Sequence, residues 1–201
     1  MPAARKRELT IPDLVLLSLL VERPMHGYEA NLELARCEVQ DWAGISRPQV
    51  YYSLEKLARI GLIRAAESDE QAAGPERSVF ATTAKGRTAL ADALEREDWT
   101  TGRERPAFLT WVALSWQARP VVFEQQLRRR REFLEKELAR EKAVLQSVRE
   151  EVGHSFHEAV WMLSLTIAQF RCELRWLKKL SAKVHRRAPA RHRQYAGQDE
   201  R

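Results

Sequence analysis

The order of apolar and polar residues divides the chain into two parts with different periodicities. Up to residue 98 the pattern predicts short helices, each with one apolar stripe, and two short stretches in which apolar and polar residues alternate. Residues 99–107 lack periodicity and predict a linker, and residues 108–182 predict long, charged helices. The expected fold is therefore mainly α, with an N-terminal domain followed by a helical arm.

The most clearly delimited helix of the first part lies within residues 45–63. Ser46 is a favourable N-cap, Pro48 suits a first turn, and Gly61 ends the run. One stripe of this helix is apolar and is expected to pack on the core: Val50, Leu54 and Leu57. The opposite arc is polar, without an acid, and is expected to be exposed: Gln49, Tyr52, Ser53, Lys56 and Arg59.

The elements around this helix predict a winged helix-turn-helix. An apolar helix over residues 11–21 and a second helix from about Gly27 precede it, joined to it by a turn near residues 38–46. Residues 62–67 and 78–83 alternate as two strands of a β-hairpin do. Residues 1–98 are thus expected to form the DNA-binding domain.

The second part predicts a helix from Pro120 to Val152 and, after the break at Gly153, another whose apolar residues recur at a 4-3-4-3 spacing. The stripe consists of Phe156, Val160, Leu163, Ile167, Phe170, Leu174 and Leu177. It can pack inside the monomer or against a second copy. Dimerisation is favoured, because a domain of about 95 residues offers little else to cover it.

Composition indicates a soluble globular protein. The chain has 201 residues, 44% of them apolar, and has neither a leader sequence nor an apolar run of about 18 residues, so no membrane association is expected. Cys37 and Cys172 are far apart and are expected to be buried thiols, with a redox switch as the alternative. The reducing cytoplasm is the expected compartment.

The net charge of +6 is concentrated at the C-terminus, where residues 178–201 hold eight basic and two acidic residues. Residues 183–201 are expected to be disordered, and either attracted to polyanions or simply solvated. At the other end Arg5, Lys6 and Arg7 form a basic arm. This arm is expected either to reach phosphate or the minor groove, or to make no contact.

Three segments resemble the PadR-like bacterial transcriptional regulators: LLSLLVERPMHGYE (16–29), SRPQVYYSLEKLARIGLI (46–63) and GPERSVFATTAKGRTAL (74–90). They occur in the family's order and spacing, and the second part is similar to the dimerisation helices of longer members. The resemblance implies a homodimeric winged-helix repressor of a palindromic operator, released by a small molecule or a stress signal.

The resemblance also implies roles for single residues. Gln49 and Tyr51 match the family's glutamine and tyrosine in the recognition helix, and Lys56 matches a basic position. Tyr28 matches the tyrosine of its HGY motif, and Arg77 matches a basic residue before the second wing strand. The wing departs from the family because acids outnumber bases in it, which leaves its contact with DNA open.

Major-groove chemistry suits this helix. Gln49, Tyr52, Ser53 and Lys56 are expected to face the groove together, where glutamine can pair with adenine and lysine with guanine or phosphate. The remaining candidates for DNA contact, mostly to phosphate, are Ser46, Arg47, Tyr51, Tyr28, Arg77, Arg5 and Lys6. For Tyr51 a half-buried core position is the alternative.

Tryptophan is frequent after the wing, which raises the question of a ligand. Planar aromatic effectors bind well between such rings, and the expected site is formed by Phe108, Trp111, Trp99 and Trp161. Ordinary core packing is the alternative explanation.

No catalytic pattern is present. His154 and His157 lack a cysteine or acid constellation, and no nucleophile elbow, P-loop or dinucleotide fingerprint occurs. The sequence therefore predicts no enzyme, cofactor or metal. The rival to a DNA-binding regulator is a winged-helix module that binds protein without specific DNA binding.

Overall fold

The computed structural model describes residues 8–65 and 78–187, and these fall into two compact units divided between Arg103 and Glu104. The described residues are mostly helical, with one small antiparallel sheet. This confirms the expected fold class of a winged helix-turn-helix followed by long helices. The boundary between the units falls within the predicted linker, where the structure forms one short additional helix.

The first unit contains six helices and three strands among its described residues. The helices are α1 (Ile11–Glu22), α2 (Gly27–Arg36), α3 (Val39–Ala43), α4 (Arg47–Arg59), α5 (Ala84–Leu94) and α6 (Asp98–Thr101). The strands are β1 (Met25–His26), β2 (Ile63–Ala65) and β3 (Val79–Thr82), with β3 central and antiparallel to both neighbours. The two wing strands were predicted, whereas the two-residue β1 is too short to leave a periodic signal.

Apolar stripes from these elements meet in one core. The largest fully buried members are Leu16, Leu17, Met25, Leu54, Leu57 and Ile63. The predicted inward stripe of α4 is confirmed, since Val50, Leu54 and Leu57 are all buried. Burying a side chain of this size contributes about 1.5–3 kcal/mol, so these contacts fix which side of α4 faces inward.

Both ends of α4 are held by specific hydrogen bonds. Ser46 is the N-cap as predicted, and Gly61 adopts φ +72°, a left-handed conformation that favours glycine. At the C-terminus the Lys85 ammonium donates to the carbonyl of Ile60 at 2.9 Å. Helix α5 can come this close because residue 86 is a glycine, which has no Cβ. A Cβ at this position would lie 2.1 Å from the Leu62 carbonyl oxygen and would clash with it.

A buried ion pair joins α1 to α4. The Lys56 ammonium donates to the Asp13 carboxylate, and the two residues are only 9% and 0% exposed. The same carboxylate accepts from the backbone nitrogen of Thr10 at 2.7 Å and from its hydroxyl at 2.8 Å, so it also caps α1. Burial raises the pKa of Asp13, but hydrogen bonds from Lys56, Thr10 and Ser53 outweigh it and hold the pKa below its usual value.

The second unit is built on a helical hairpin. It comprises α7 (Ala107–Leu114), α8 (Pro120–Val152) and α9 (Glu158–Ser181), with short 3-10 helices at Ser115–Gln117 and Val184–Arg186. Gly153, at φ +76°, ends α8 where the sequence predicted the break. Across the described parts of the chain, no helix combines the length and apolar character that crossing a bilayer requires.

The apolar stripe of α9 is covered within the monomer, which corrects the dimerisation role expected for it. Val160, Leu163, Ile167 and Leu177 are buried, and Phe170 and Leu174 are half-buried in the contact with α8. Only Phe156 is open to solvent, at 82% exposure. The 4-3 repeat was interpreted correctly as a packing seam, but α8 of the same chain supplies the partner.

Two smaller expectations are also corrected. Cys37 and Cys172 are exposed, not buried, because each lies on the outward side of its helical segment. Residues 183–187 are ordered, since the Arg187 guanidinium donates to the Ser115 carbonyl at 2.5 Å and lies 4.1 Å from the centre of the Phe123 ring. The rest of the predicted basic tail lies outside the described residues.

The ion pair makes a prediction for stability. We expect Asp13→Asn to lower the free energy of unfolding by about 3–5 kcal/mol at pH 7, because it leaves the buried Lys56 ammonium without its counter-charge. The control is Glu22→Gln, which removes an exposed carboxylate from the same helix. Urea denaturation measures both variants.

The pH dependence of this difference has a defined sign. The folded-state pKa of Asp13 is lowered, so its stabilisation is fully present above the unfolded-state value of about 3.9 and is lost as the pH falls through the folded-state pKa. The gap between wild type and Asp13→Asn should therefore narrow below about pH 4. A gap that stays constant down to pH 2 would contradict the ion pair.

Candidate functional site

The outward face of α4 is a line of four residues spaced by four, three and four positions. Its members are Pro48, Tyr52, Glu55 and Arg59, and all are exposed. Tyr52 is 64% exposed, the largest exposed fraction of any large hydrophobic side chain in α4. The line lies opposite the core stripe, so another molecule can touch it, as it can the exposed Arg47 and Gln49 beside it.

Two residues expected on this face lie inside the protein. Ser53 is 2% exposed, and Lys56 is occupied by the ion pair with Asp13. The expectation that they face the major groove is wrong, because α1 packs against this flank of α4 and encloses both side chains. The cation at position 56 is therefore structural, and the exposed cations of the helix lie at its two ends, Arg47 and Arg59.

Gln49 is exposed but is already engaged within the chain. Its side-chain oxygen accepts from the Ser46 backbone nitrogen at 2.8 Å and from the Ser46 hydroxyl at 2.7 Å. Both lone pairs of that oxygen are thereby used, and the amide nitrogen remains as a donor. Bidentate pairing of Gln49 with adenine requires the oxygen as well, so it requires this cap to open.

Tyr51 takes its alternative position, in the core. Its ring is half-buried against the apolar cluster, and its hydroxyl is buried with no hydrogen-bond partner among the described residues. The Arg47 guanidinium lies 5.8 Å from the centre of the ring. In this conformation the Tyr51 hydroxyl does not reach the surface, so the phosphate contact expected of it stays a prediction that requires the side chain to move.

The remaining candidates for DNA contact divide into placed and unplaced residues. Tyr28 is exposed in the first turn of α2, and Ser46 and Arg47 are exposed where α4 begins. Arg5, Lys6 and Arg77 lie outside the described residues. The structure adds Arg64, an exposed base on β2, and Glu55, whose place in the outward line follows from the spacing once Ser53 and Lys56 are assigned to the core.

Aromatic rings form a second candidate site on α7 and α8. The Phe108 and Trp111 rings stack with centroids 5.5 Å apart, and Trp111 stacks on Phe123 at 5.6 Å. Trp176 of α9 meets Phe108 edge-on at 6.4 Å. The expected pairing of Phe108 with Trp111 is therefore present.

Two of these rings, Phe108 and Trp111, line an open pocket of about 280 Å³. Its other walls are Gln126, Arg129, Arg130 and Phe133. Arg130 lies over Phe108 at 5.0 Å and over Phe133 at 5.4 Å. Two hydrogen bonds of 2.7 and 2.9 Å to Glu173 hold its guanidinium in this position. The pocket combines flat apolar walls with positive charge, which suits a planar aromatic anion.

The other two tryptophans proposed for this site are elsewhere. Trp99 belongs to the first unit, where its indole nitrogen donates to the Ala93 carbonyl at 2.7 Å and Arg96 covers its ring. Trp161 is exposed on α9 and does not line the pocket. Sequence position alone could not separate them, because helical spacing says nothing about which helices meet. In the parts of the chain that the structure describes, no cluster of side chains is arranged to hold a metal.

Comparison with known proteins supports the interpretation of the first unit. Residues 16–92 match the sequence profile of the "Transcriptional regulator PadR-like family". The match begins within α1 and ends within α5, so it covers α4 and both wing strands. A comparison with curated protein sequences gave no significant match.

Solved structures are similar over both units. Bacillus subtilis PadR in complex with operator DNA has a TM-score of 0.67 at 17% identity, covering 87% of this chain and 99% of that one. The same protein in complex with p-coumaric acid has a TM-score of 0.70 at 16% identity, covering 88% and 99%. The Vibrio cholerae virulence activator AphA has a TM-score of 0.68 at 20% identity, covering 88% and 99%. At these identities the likeness establishes the fold.

Proposed function

We propose that this chain, which belongs through residues 16–92 to the PadR-like family of transcriptional regulators, binds an operator as a homodimer and represses transcription there. The observation that carries the proposal is the outward line of α4, a helix capped at both ends and held against the core with polar side chains facing solvent. A rigid helix with such a face fits the major groove of B-DNA.

The contacts proposed for this face follow from its chemistry. Arg47 and Arg59, near the two ends of α4, are placed for phosphate on either side of the groove. Tyr52 and the amide nitrogen of Gln49 lie between them and face base edges. Tyr28 and Arg64 extend the surface beyond α4, and both are exposed.

The homodimer is proposed to form through a second apolar line on α9. On the side away from α8 lie Trp161, Leu165, Cys172 and Trp176, all exposed, with Leu165 at 61%. Exposed apolar patches on a monomer mark interaction sites. A second copy is the proposed occupant, because one stripe packed against its own symmetry mate gives a closed two-fold interface, and two-fold symmetry matches a palindromic operator.

Repression is proposed because a dimer that occupies promoter DNA excludes polymerase. AphA of Vibrio cholerae is a virulence activator, so this fold is also found in a protein that activates. Relief by a small molecule is proposed because PadR of Bacillus subtilis is found with p-coumaric acid, and the pocket of the second unit suits the same chemical class. An aromatic ring would stack on Phe133 or Phe108, and its carboxylate would pair with Arg129.

The DNA-binding proposal predicts the outcome of a gel shift with the DNA upstream of the protein's own gene. Wild type should bind it specifically at physiological salt. Arg59→Gln should weaken binding to all sequences and reduce the slope of log K against log salt by about one, because one phosphate contact is lost. Arg128→Gln, an exposed base on α8, is the control and should bind as wild type does.

Two outcomes would contradict this proposal. No affinity beyond that for random DNA would favour the protein-interaction module, and an Arg59→Gln variant with unchanged salt dependence would remove α4 from the interface.

The dimer is tested by sedimentation and by the same gel shift. Leu165→Glu should sediment as a monomer and lose the shift, whereas Leu94→Glu, an equally exposed leucine of α5, should remain dimeric.

The pocket makes a separate prediction. Aromatic carboxylates should quench tryptophan fluorescence in wild type, and Trp111→Phe should abolish most of the change. Arg129→Ala should weaken binding by at least 10-fold, because a charge-assisted hydrogen bond contributes about 1.5–3 kcal/mol. Arg128→Ala, its exposed neighbour, is the control. Equal affinity in both arginine variants would contradict the assignment.

A further inference from the structure

An acid lies at the centre of the outward face of α4. Glu55 occupies the line of Pro48, Tyr52 and Arg59, and it is exposed. On a surface that meets phosphate, a carboxylate is repelled, so its presence there needs a reason.

The protein's own stability does not supply that reason. Among the described residues, Glu55 forms neither a hydrogen bond nor an ion pair, and Arg59 one turn further on does not reach it. Glu55 also lies in the C-terminal half of α4, where the helix dipole disfavours a negative charge. The lack of a partner within the chain and the helix dipole both favour another residue at position 55. The carboxylate is therefore expected to have its partner in another molecule.

Base edges offer one partner that suits an exposed carboxylate in the major groove. The exocyclic N4 amino group of cytosine is a donor, and glutamate and aspartate accept from it. Glutamine at position 49 does not fill this role here, because the Gln49 oxygen is used by Ser46 and only its amide nitrogen is left to contact acceptors. Among the side chains facing outward from α4, Glu55 is thus the one carboxylate, and it is a stronger acceptor for a base amino group than the neutral Tyr52 hydroxyl.

We propose that Glu55 determines operator sequence by accepting a hydrogen bond from the N4 amino group of a cytosine in each half-site. This inference rests on the proposed function, since it requires that α4 enters the major groove. DNA of any sequence repels the carboxylate. Only a cytosine placed against Glu55 offsets this repulsion, because its amino group donates a hydrogen bond. Glu55 therefore weakens non-specific binding and sharpens choice at one base pair.

Selection from a randomised half-site library, with the full-length protein, tests this proposal. Wild type should enrich cytosine at one position of each half-site. Glu55→Ala should lose that preference by about 10-fold or more, and should bind random DNA more tightly than wild type. Glu55→Gln should shift the preference at the same position toward adenine, because a glutamine amide at this place is free to pair bidentately.

The matched control is Glu95→Ala, which removes an exposed carboxylate of the same unit outside α4. Glu95→Ala changes the net charge by the same amount as Glu55→Ala. It should nevertheless keep the preference for cytosine and gain no preference for adenine. Thermal unfolding of the Glu55 variants should occur at no lower temperature than that of wild type, because Glu55 has no partner among the described residues.

Different outcomes separate this inference from the proposed function. If wild type enriches a sequence and Glu55→Ala enriches the same one at every position, the inference is overturned and the proposed function stands. If wild type enriches no sequence, the proposed function is overturned and the inference with it. A lost preference that also appears in Glu95→Ala would overturn the inference, because general charge would then explain it.

Discussion

The buried ion pair between Asp13 and Lys56 sets the orientation of α4, and with it the surface that we propose meets DNA. A charge inside a protein is tolerated only when it is paired and hydrogen-bonded, so Lys56 has one acceptable position, beside the carboxylate that caps α1. Apolar burial fixes which half of α4 faces inward, and the ion pair fixes its rotation within that half. Tyr52, Glu55 and Arg59 are outward as a consequence.

Much of this architecture follows from the sequence, and the exceptions have a common physical origin. Helix ends could be predicted because Ser46 and Gly61 act locally, and the inward stripe of α4 because its period is that of a helix. Ser53 and Lys56 could not be placed, because they lie at the border of the polar arc and their burial depends on where α1 crosses. The available signal was Asp13, an acid in the first turn of a helix whose following residues, 14–21, are apolar apart from Ser18; an acid placed there needs a cation nearby.

In the second unit, too, the sequence shows that a helix packs but not which element it packs against. A 4-3 repeat shows that α9 has a partner, but α8 and a second copy satisfy the repeat equally well, and only the structure distinguishes them. With the stripe assigned to α8, the exposed outer line containing Leu165 is the surface that we propose for a dimer. The aromatic pocket was predicted in part, because Phe108 and Trp111 are one helical turn apart, whereas Arg129 and Arg130 come from a different helix.

The central claim is that the Lys56 ammonium is buried and paired, and that α4 is oriented by that contact. Nitrogen-detected NMR of the lysine ammonium groups in the full-length protein tests it most directly. The account predicts one ammonium signal at neutral pH whose protons exchange slowly with water, absent in Lys56→Met and lost or fast-exchanging in Asp13→Asn. A spectrum in which all lysine ammonium protons exchange at the rate of solvated side chains would contradict it.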